Sequence, residues 1–460
     1  MRLSQVTADR LPASVGRPDY DWRAQRRGIV HLGVGAFHRA HQAAYTDDAM
    51  RAGDRDWAIT GVSLRSSSMR DALAPQDALY TLTERGADGD RTRLIGALRE
   101  VLVAPEAPEL VTQALASPDT KLVTITVTEK GYHRRPDGAL DLAGLAATGG
   151  TIFHHLARAL ARRRAAKLPG VTILSCDNLT DNGSTLGTLL ATYLDHVEPA
   201  TSNWFASECA CPNTMVDRIV PAMTAAGVDA VADTLAMRDE AAVATEPFRE
   251  WVIENRFAGP RPRWEGGGAR LVADVRPYEH AKLRMLNGAH SALAYLGLEA
   301  GHDYVHQAVA DPALRPKVEA LLGEAAASLD PAPGQDLARY ADRLVARFAN
   351  PALQHRLAQI AADGSQKIPQ RWLEPLAING ACGRRCPATL EALAAWIVHL
   401  RGDDRLVDDP LAGMLRDLWR TAGRAGMIDA LFGRGGMLAG CWRPDASDRA
   451  LLDAFIDQRS

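Results

Sequence analysis

The sequence predicts an α/β N-terminal half with a mostly parallel sheet, followed by an all-α C-terminal half. Three features predict this. Short apolar strands alternate with helical stretches over the first part of the chain. The first of these strands runs into a glycine turn that opens a helix. After about Val275 the pattern changes to Ala- and Leu-rich helical segments with no strand pattern among them. The expected domains are therefore residues 1–275 and 276–460, and a chain of 460 residues is long enough for two cores.

Each element has its own reason. Gly28 to Gly33 reads as a buried strand, Ile29-Val30-His31-Leu32, ending in a glycine turn, with a helix from about Ala40 to Ala52. Trp57 to Val62 is the second strand. Leu122 to Val127 is the clearest one, being almost entirely β-branched. Thr151 to Lys167 is an Ala- and Arg-rich helix, and Arg162-Arg163-Arg164 near its end complements the helix dipole. Val171 to Ser175 is another buried strand. Asn182-Gly183 then punctuates a turn before a helix at about Ser184 to His196. In the second half, Pro331-Ala332-Pro333-Gly334 and Gly433-Arg434-Gly435-Gly436 mark loops.

Composition narrows the function classes. Hydrophobic residues make up 47% and charged residues 24%, the balance of a soluble globular protein. A formal charge of −3, from 53 basic and 56 acidic side chains, gives no basis for nucleic acid or an anionic membrane as a partner. The N-terminus has no apolar signal region, and no apolar run approaches bilayer length. Six cysteines in this length fit a reducing compartment, so a cytoplasmic location is expected.

Two stretches carry chemistry. Gly33-Val34-Gly35-Ala36-Phe37-His38 follows a strand and opens a helix, the setting in which one glycine makes the tight turn and a second lets a pyrophosphate approach the backbone. The third glycine of that fingerprint is replaced by His38. An ordinary strand-to-helix turn is the alternative. The second strand, which normally ends in an acid that holds the ribose hydroxyls, leads here into Ser63, Leu64, Arg65 and Ser66. NAD is then less firmly implied, and Arg65 could accept a 2′-phosphate.

The other stretch is Lys282-Leu283-Arg284-Met285-Leu286-Asn287-Gly288-Ala289-His290. On an α-helix, at about 100° per residue, Asn287 and His290 stand roughly 140° and 80° around from Lys282. A desolvated lysine can act as a general base near neutral pH, and an amide and an imidazole can hold a carbinol or carbonyl oxygen. The alternative is an amphipathic helix with a solvated lysine and a capped histidine.

Further blocks lie between these two: Thr128-Glu129-Lys130-Gly131-Tyr132, Ser175-Cys176-Asp177-Asn178-Leu179, Pro212 to Arg218, Glu246-Pro247-Phe248, and Pro277-Tyr278-Glu279. In this order, the set from His31 to the lysine helix resembles the mannitol dehydrogenase family of polyol-specific long-chain dehydrogenases. The resemblance is close over roughly residues 28 to 300. It implies a Rossmann-like dinucleotide-binding domain, a helical substrate and catalytic domain, and a metal-independent, NAD(P)-dependent alcohol dehydrogenase. It implies Lys282 as the base, and Asn178, Asn287 and His290 as groups that bind and polarise the reacting oxygen. It places Gly33, Gly35, Ala36, Phe37, Thr128 and Glu129 toward the cofactor, expected to be NAD with NADP also compatible. Asp217 lies in a matching block, where the alternative is an ion pair with Arg218 or another cation. Glu279 is a candidate proton relay, with a plain helix ion pair as the alternative.

The family covers neutral polyols such as mannitol and also sugar acids. Lys367 and Arg371 offer the extra cations that a carboxylate needs, so D-mannonate/D-fructuronate is the expected pair, as in fructuronate reductases, and a mannitol-type polyol is the alternative. Two rivals come from other classes. One is a zinc site from Cys209, Cys211, Cys382 and Cys386, although neither pair has the usual two-residue spacing. The other is a nucleotide-binding regulator without catalysis, which would have no use for Lys282. A monomer or small homo-oligomer is expected.

Overall fold

The β-branched runs of the first half form one sheet. The computed structural model describes residues 1–403, 405–440 and 442–459. Contacts divide the chain into Met1–Val275 and Arg276–Ser460. In the first unit the strands are β1 (Ile29–Leu32), β2 (Ile59–Ser63), β3 (Tyr80–Gly86), β4 (Gly89–Ile95), β5 (Leu98–Val103), β6 (Leu122–Ile125), β7 (Thr172–Ser175), β8 (Thr214–Asp217), β9 (Val243–Thr245), β10 (Glu250–Glu254) and β11 (Arg270–Val272). The main sheet has the order β5-β2-β1-β6-β7, with every neighbouring pair parallel. Ile29 stands between Ile59 and Leu122 in register, and Leu122 faces Thr172. The central strands are buried throughout because both faces are covered. Val30, Leu32, Val123 and Ile125 pack into one apolar cluster, while Ile29, Ile59 and Leu122 pack into another. This is a Rossmann-like sheet whose strand order reverses between β1 and β6, the crevice where ligands gather.

The boundaries differ from the expected ones for local reasons. The helix expected from Ala40 to Ala52 is two helices, α1 (Ala36–Ala40) and α2 (Gln42–Arg51), broken at His41 with φ −117° and ψ −87°. β6 stops at Ile125, short of the expected Val127, because the chain turns at Thr128 with φ +66°. The small sheets β4-β3-β9 and β11-β10-β8 are additions to the expected elements. The outer ends of β3 and β4 carry Glu84, Arg85, Asp90 and Arg91, so they lack the apolar runs by which the other strands are legible.

The second unit is helical, with no strand among the described residues. Its centre is the helix Gly288–Glu299, in which every residue but Glu299 is buried. A helix apolar on all sides has to be surrounded, and the helices Arg315–Ala327 and Pro387–His399 contribute to the same cluster. Gly297 allows this close fit, since a Cβ there would lie 2.7 Å from Leu357 and 2.8 Å from Ala308. Among the described residues no helix is long and apolar enough to cross a membrane.

Candidate active site

In the first unit a cleft of about 520 Å³ opens at the carboxyl ends of β1, β2 and β6. Gly33 and Gly35 both line it, for different reasons. Gly33 has φ +104°, and a Cβ there would sit 2.0 Å from the carbonyl oxygen of Thr126, so only glycine fits. Gly35 has extended backbone, and a Cβ added to it would meet nothing within 4 Å. Its missing side chain leaves the cleft floor open. That open cradle fits the close approach of a dinucleotide pyrophosphate to backbone N–H groups.

His38, at the third fingerprint position, does what the missing glycine usually permits. Its ring lies flat on that of His31, with centroids 3.3 Å apart and planes at 11°, which brings helix and strand together. His31 is held by Thr124 Oγ1 at 2.7 Å and by Gly33 O and Thr126 Oγ1, both at 2.9 Å. Burial pushes the His31 imidazole down to about 3 and His38 well below the ordinary range, so both rings are neutral.

Thr128 also lines the cleft, in a left-handed conformation costly for a β-branched residue. Asp177 holds it there. The Asp177 carboxylate accepts from Val127 N and Thr128 N, each at 2.9 Å, and from Tyr132 Oη at 2.8 Å. Burial raises its pKa against those donors. Two separate sequence blocks thus meet at one carboxylate. Sequence reasoning gave Asp177 no role, although an acid directly after a buried strand is the signal that could have found it.

Ala36, Phe37, Glu129 and Asp217 do not line this cleft. The Phe37 ring stacks on His41 at 5.0 Å and 15°. Glu129 is exposed in the turn Glu129–Tyr132. Asp217 is buried on β8, opposite Glu250. Arg218 beside it pairs with Glu84 at 2.5 Å. Asn178 follows Asp177 just past β7 and is exposed.

In the second unit, Lys282–Asn287 is a π-helix, inserted between the α-helices Arg276–Ala281 and Gly288–Glu299. The α-helical angles expected for this stretch therefore do not apply. A π turn closes its hydrogen bonds at the fifth residue and is wider than an α turn, so Asn287 lies closer around the helix to Lys282 than the α-helical spacing gives. Both are half-buried, and Glu279 is half-buried one turn earlier. His290 follows on the α-helix, 8% exposed, with its ring against Phe348 at 4.6 Å and His355 at 5.4 Å. Its Nε2 has no hydrogen-bond partner among the described residues. Burial, then His355, Arg347 and Arg371, hold it neutral, well below the usual imidazole range.

A second π-helix, Pro369–Leu373, packs beside the first. It begins at a proline, which cannot donate to the preceding α-helical ladder. It supplies two donors to the other helix. Arg371 Nη1 bonds Ser291 Oγ at 2.8 Å and Asn287 O at 3.3 Å, and Trp372 Nε1 bonds Gly288 O at 3.2 Å. No bond from Arg371 Nε or Nη2 is present among the described residues, and burial lowers this guanidinium to about 10. Lys367 Nζ donates to Ala362 O at 2.6 Å and stands 3.8 Å from Asp363. Burial, followed by the charge of Arg371, lowers the Lys367 pKa.

Among the described residues no three His, Cys, Asp or Glu side chains are grouped as a metal set. Cys209, Cys211, Cys382 and Cys386 are free thiols, and Cys441 lies outside the described residues.

The family description "Mannitol dehydrogenase Rossmann domain" matches residues 27–266, and "Mannitol dehydrogenase C-terminal domain" matches residues 274–432. The chain belongs to the mannitol dehydrogenase family. It is therefore an oxidoreductase with a Rossmann domain for a nicotinamide cofactor. The D-mannonate oxidoreductase of Escherichia coli is 38% identical, over 95% of this chain and 93% of its own length. A mannitol 2-dehydrogenase of Aspergillus fumigatus is 40% identical, over 93% and 89%. Among solved structures, Pseudomonas fluorescens mannitol 2-dehydrogenase in ternary complex with NAD and D-mannitol superposes with a TM-score of 0.82 at 34% identity, covering 100% of this chain and 96% of that one. Sugar-acid and neutral-polyol enzymes are thus similarly close relatives.

Proposed function

We propose that this enzyme interconverts a sugar-derived secondary alcohol and its ketone, with D-mannonate and D-fructuronate as the pair. The observation that carries the chemistry is the π-helix that carries both Lys282 and Asn287, followed by a buried His290 whose Nε2 awaits a partner. In the oxidising direction neutral Lys282 removes the hydroxyl proton. Asn287 and His290 hold the oxygen as charge develops on it, and Asn178 is the further amide that the family resemblance assigns to it. Because His290 is neutral, one nitrogen of its ring carries a proton to donate and the other is an acceptor. Glu279 relays the hydroxyl proton from Lys282 to water; in reduction protonated Lys282 gives a proton to the carbonyl oxygen, and Glu279 resupplies it from water. A nicotinamide, when bound, supplies the hydride chemistry. Gly33, Gly35 and Thr128 would hold its dinucleotide.

The acid is favoured over a polyol by the charges around His290. The charges of His355, Arg347 and Arg371 all act on its ring. Arg371 has no carboxylate partner among the described residues and keeps one edge of its fork unbonded. Lys367 lies close enough for the charge of Arg371 to lower its pKa. A substrate carboxylate would balance the charge of Arg371. The second reading, a mannitol 2-dehydrogenase, is supported by the similarity to enzymes of that name.

Turnover of fructuronate and mannonate set against fructose and mannitol, with both cofactors, tests the assignment. We expect kcat/KM for the acids to exceed that for the neutral sugars by about tenfold or more, and Lys282→Met to reduce kcat by about 10²- to 10⁴-fold. Preference for mannitol would move the enzyme to the polyol branch. Full activity of the methionine variant would remove Lys282 as the base.

A further inference from the structure

We propose that the cleft of the first unit is built for the 2′-phosphorylated dinucleotide, and that Arg65 meets the 2′-phosphate. The inference rests on reading that cleft as the nucleotide site. It departs from the NAD expected by resemblance.

The placement comes from the sheet. β2 runs parallel to β1 with Leu32 opposite Val62, and Gly33 N bonds Val62 O at 2.9 Å. The stretch after β2 therefore lies beside the glycine turn. A ribose next to a pyrophosphate on Gly33–Gly35 must come to rest over Ser63-Leu64-Arg65-Ser66. An acid in that position grips the 2′-hydroxyl and repels a 2′-phosphate. None is present: the residues lining the cleft include Arg65 and Lys130 but no Asp or Glu.

Two acids on neighbouring stretches, Asp71 and Glu106, already have partners. Asp71 accepts from Ser67 Oγ at 2.6 Å and from Arg70 Nε at 2.9 Å. Glu106 pairs with Arg70. Arg65, by contrast, is exposed and makes no ion pair among the described residues. Ser66 Oγ and Ser68 Oγ, both lining the cleft, stand 3.0 Å apart and bring further hydroxyl donors to its edge. A 2′-phosphate adds one and a half to two negative charges (about −1.5 to −2 near pH 7) and three acceptor oxygens. A guanidinium with its donors unused and a rim of hydroxyls is what such a group binds to. Lys130, which also lines the cleft, is a second basic side chain there.

The intact protein titrated with adenosine 2′,5′-bisphosphate and, separately, with 5′-AMP provides the test, read by calorimetry so that no turnover is needed. The bisphosphate should bind about tenfold or more tightly than AMP, with an advantage that shrinks as salt is raised. Arg65→Ser should remove the advantage and leave AMP affinity in place. Equal or tighter binding of AMP by the unaltered protein overturns the proposal. So does an advantage that survives Arg65→Ser, because the phosphate would then be read elsewhere. If neither nucleotide nor NADH nor NADPH binds, the reading of the cleft as a nucleotide site falls first and takes this inference with it.

Discussion

In Met1–Val275 the backbone departs from regular geometry at single residues, Gly33 at φ +104° and Thr128 at φ +66°. In Arg276–Ser460 it departs at single residues too, among them Gln354 and Asp363, and also over whole turns, as two neighbouring π-helices. The first unit fixes its turns with backbone sterics and one carboxylate: a Cβ at Gly33 would meet the Thr126 backbone of the neighbouring strand's end, and Asp177 binds the N–H groups around Thr128. The second unit fixes its turns with side chains that arrive from about eighty residues away, Arg371 and Trp372. Both irregularities depend on long-range contacts; what differs is the means, backbone sterics and one carboxylate at the cofactor cleft, donor side chains beside the proposed base.

Three perturbations separate these devices. The largest stability effect is expected at Gly33. Gly33→Ala should lower the unfolding free energy in urea by about 2–4 kcal/mol, from backbone strain and overlap with Thr126. Gly35→Ala should change it by less than about 0.5 kcal/mol while weakening adenosine 2′,5′-bisphosphate binding, because its methyl enters open cleft space. If both variants are equally unstable, the distinction between the two glycines is wrong.

Next comes pH. In the unfolded chain His31 takes up a proton near its ordinary value of 6.5, but in the folded protein only near 3. Between these values the unfolded state binds the extra proton. The stability that this burial permits is therefore complete above pH 6.5 and is lost as pH falls toward 3, at up to about 1.4 kcal/mol per pH unit. Urea titrations at pH 7, 6 and 5 should show this slope, and it should be shallower in His31→Gln. An unchanged slope would mean that the ring is protonated in the fold.

The smallest effect is expected from Arg371→Lys. It keeps the charge but loses the fork that reaches Ser291 and Asn287, and should cost about 1 kcal/mol. Its KM for fructuronate should rise more than its KM for fructose, if the unbonded edge of the fork meets the carboxylate. A variant that is destabilised with equal changes for both sugars would leave Arg371 as a brace alone.

Much of this molecule was legible one residue at a time. Uninterrupted apolar runs such as Leu122–Ile125 imply a sheet covered on both faces, and a glycine forced into positive φ marks a turn wherever it occurs. These are local properties, carried by side-chain branching and backbone sterics. The missing third glycine was legible only as an anomaly. Its explanation, His38 lying flat on His31, needs the helix and strand in place. The amide donors around Asp177 are brought to it by chain folding from some fifty residues away.

The sequence by itself determined the alternation of strands and helices, the glycine turn, the absence of an acid after β2, and which polar residues are available in the lysine stretch. Tertiary structure alone decided that this stretch is a π-helix. Lys282–Asn287 contains neither proline nor glycine to announce a break, and α and π turns of the same residues differ by a single hydrogen-bond register. So small a local difference is settled by distant partners, here the guanidinium of Arg371 and the indole of Trp372 bonded at Asn287, Gly288 and Ser291.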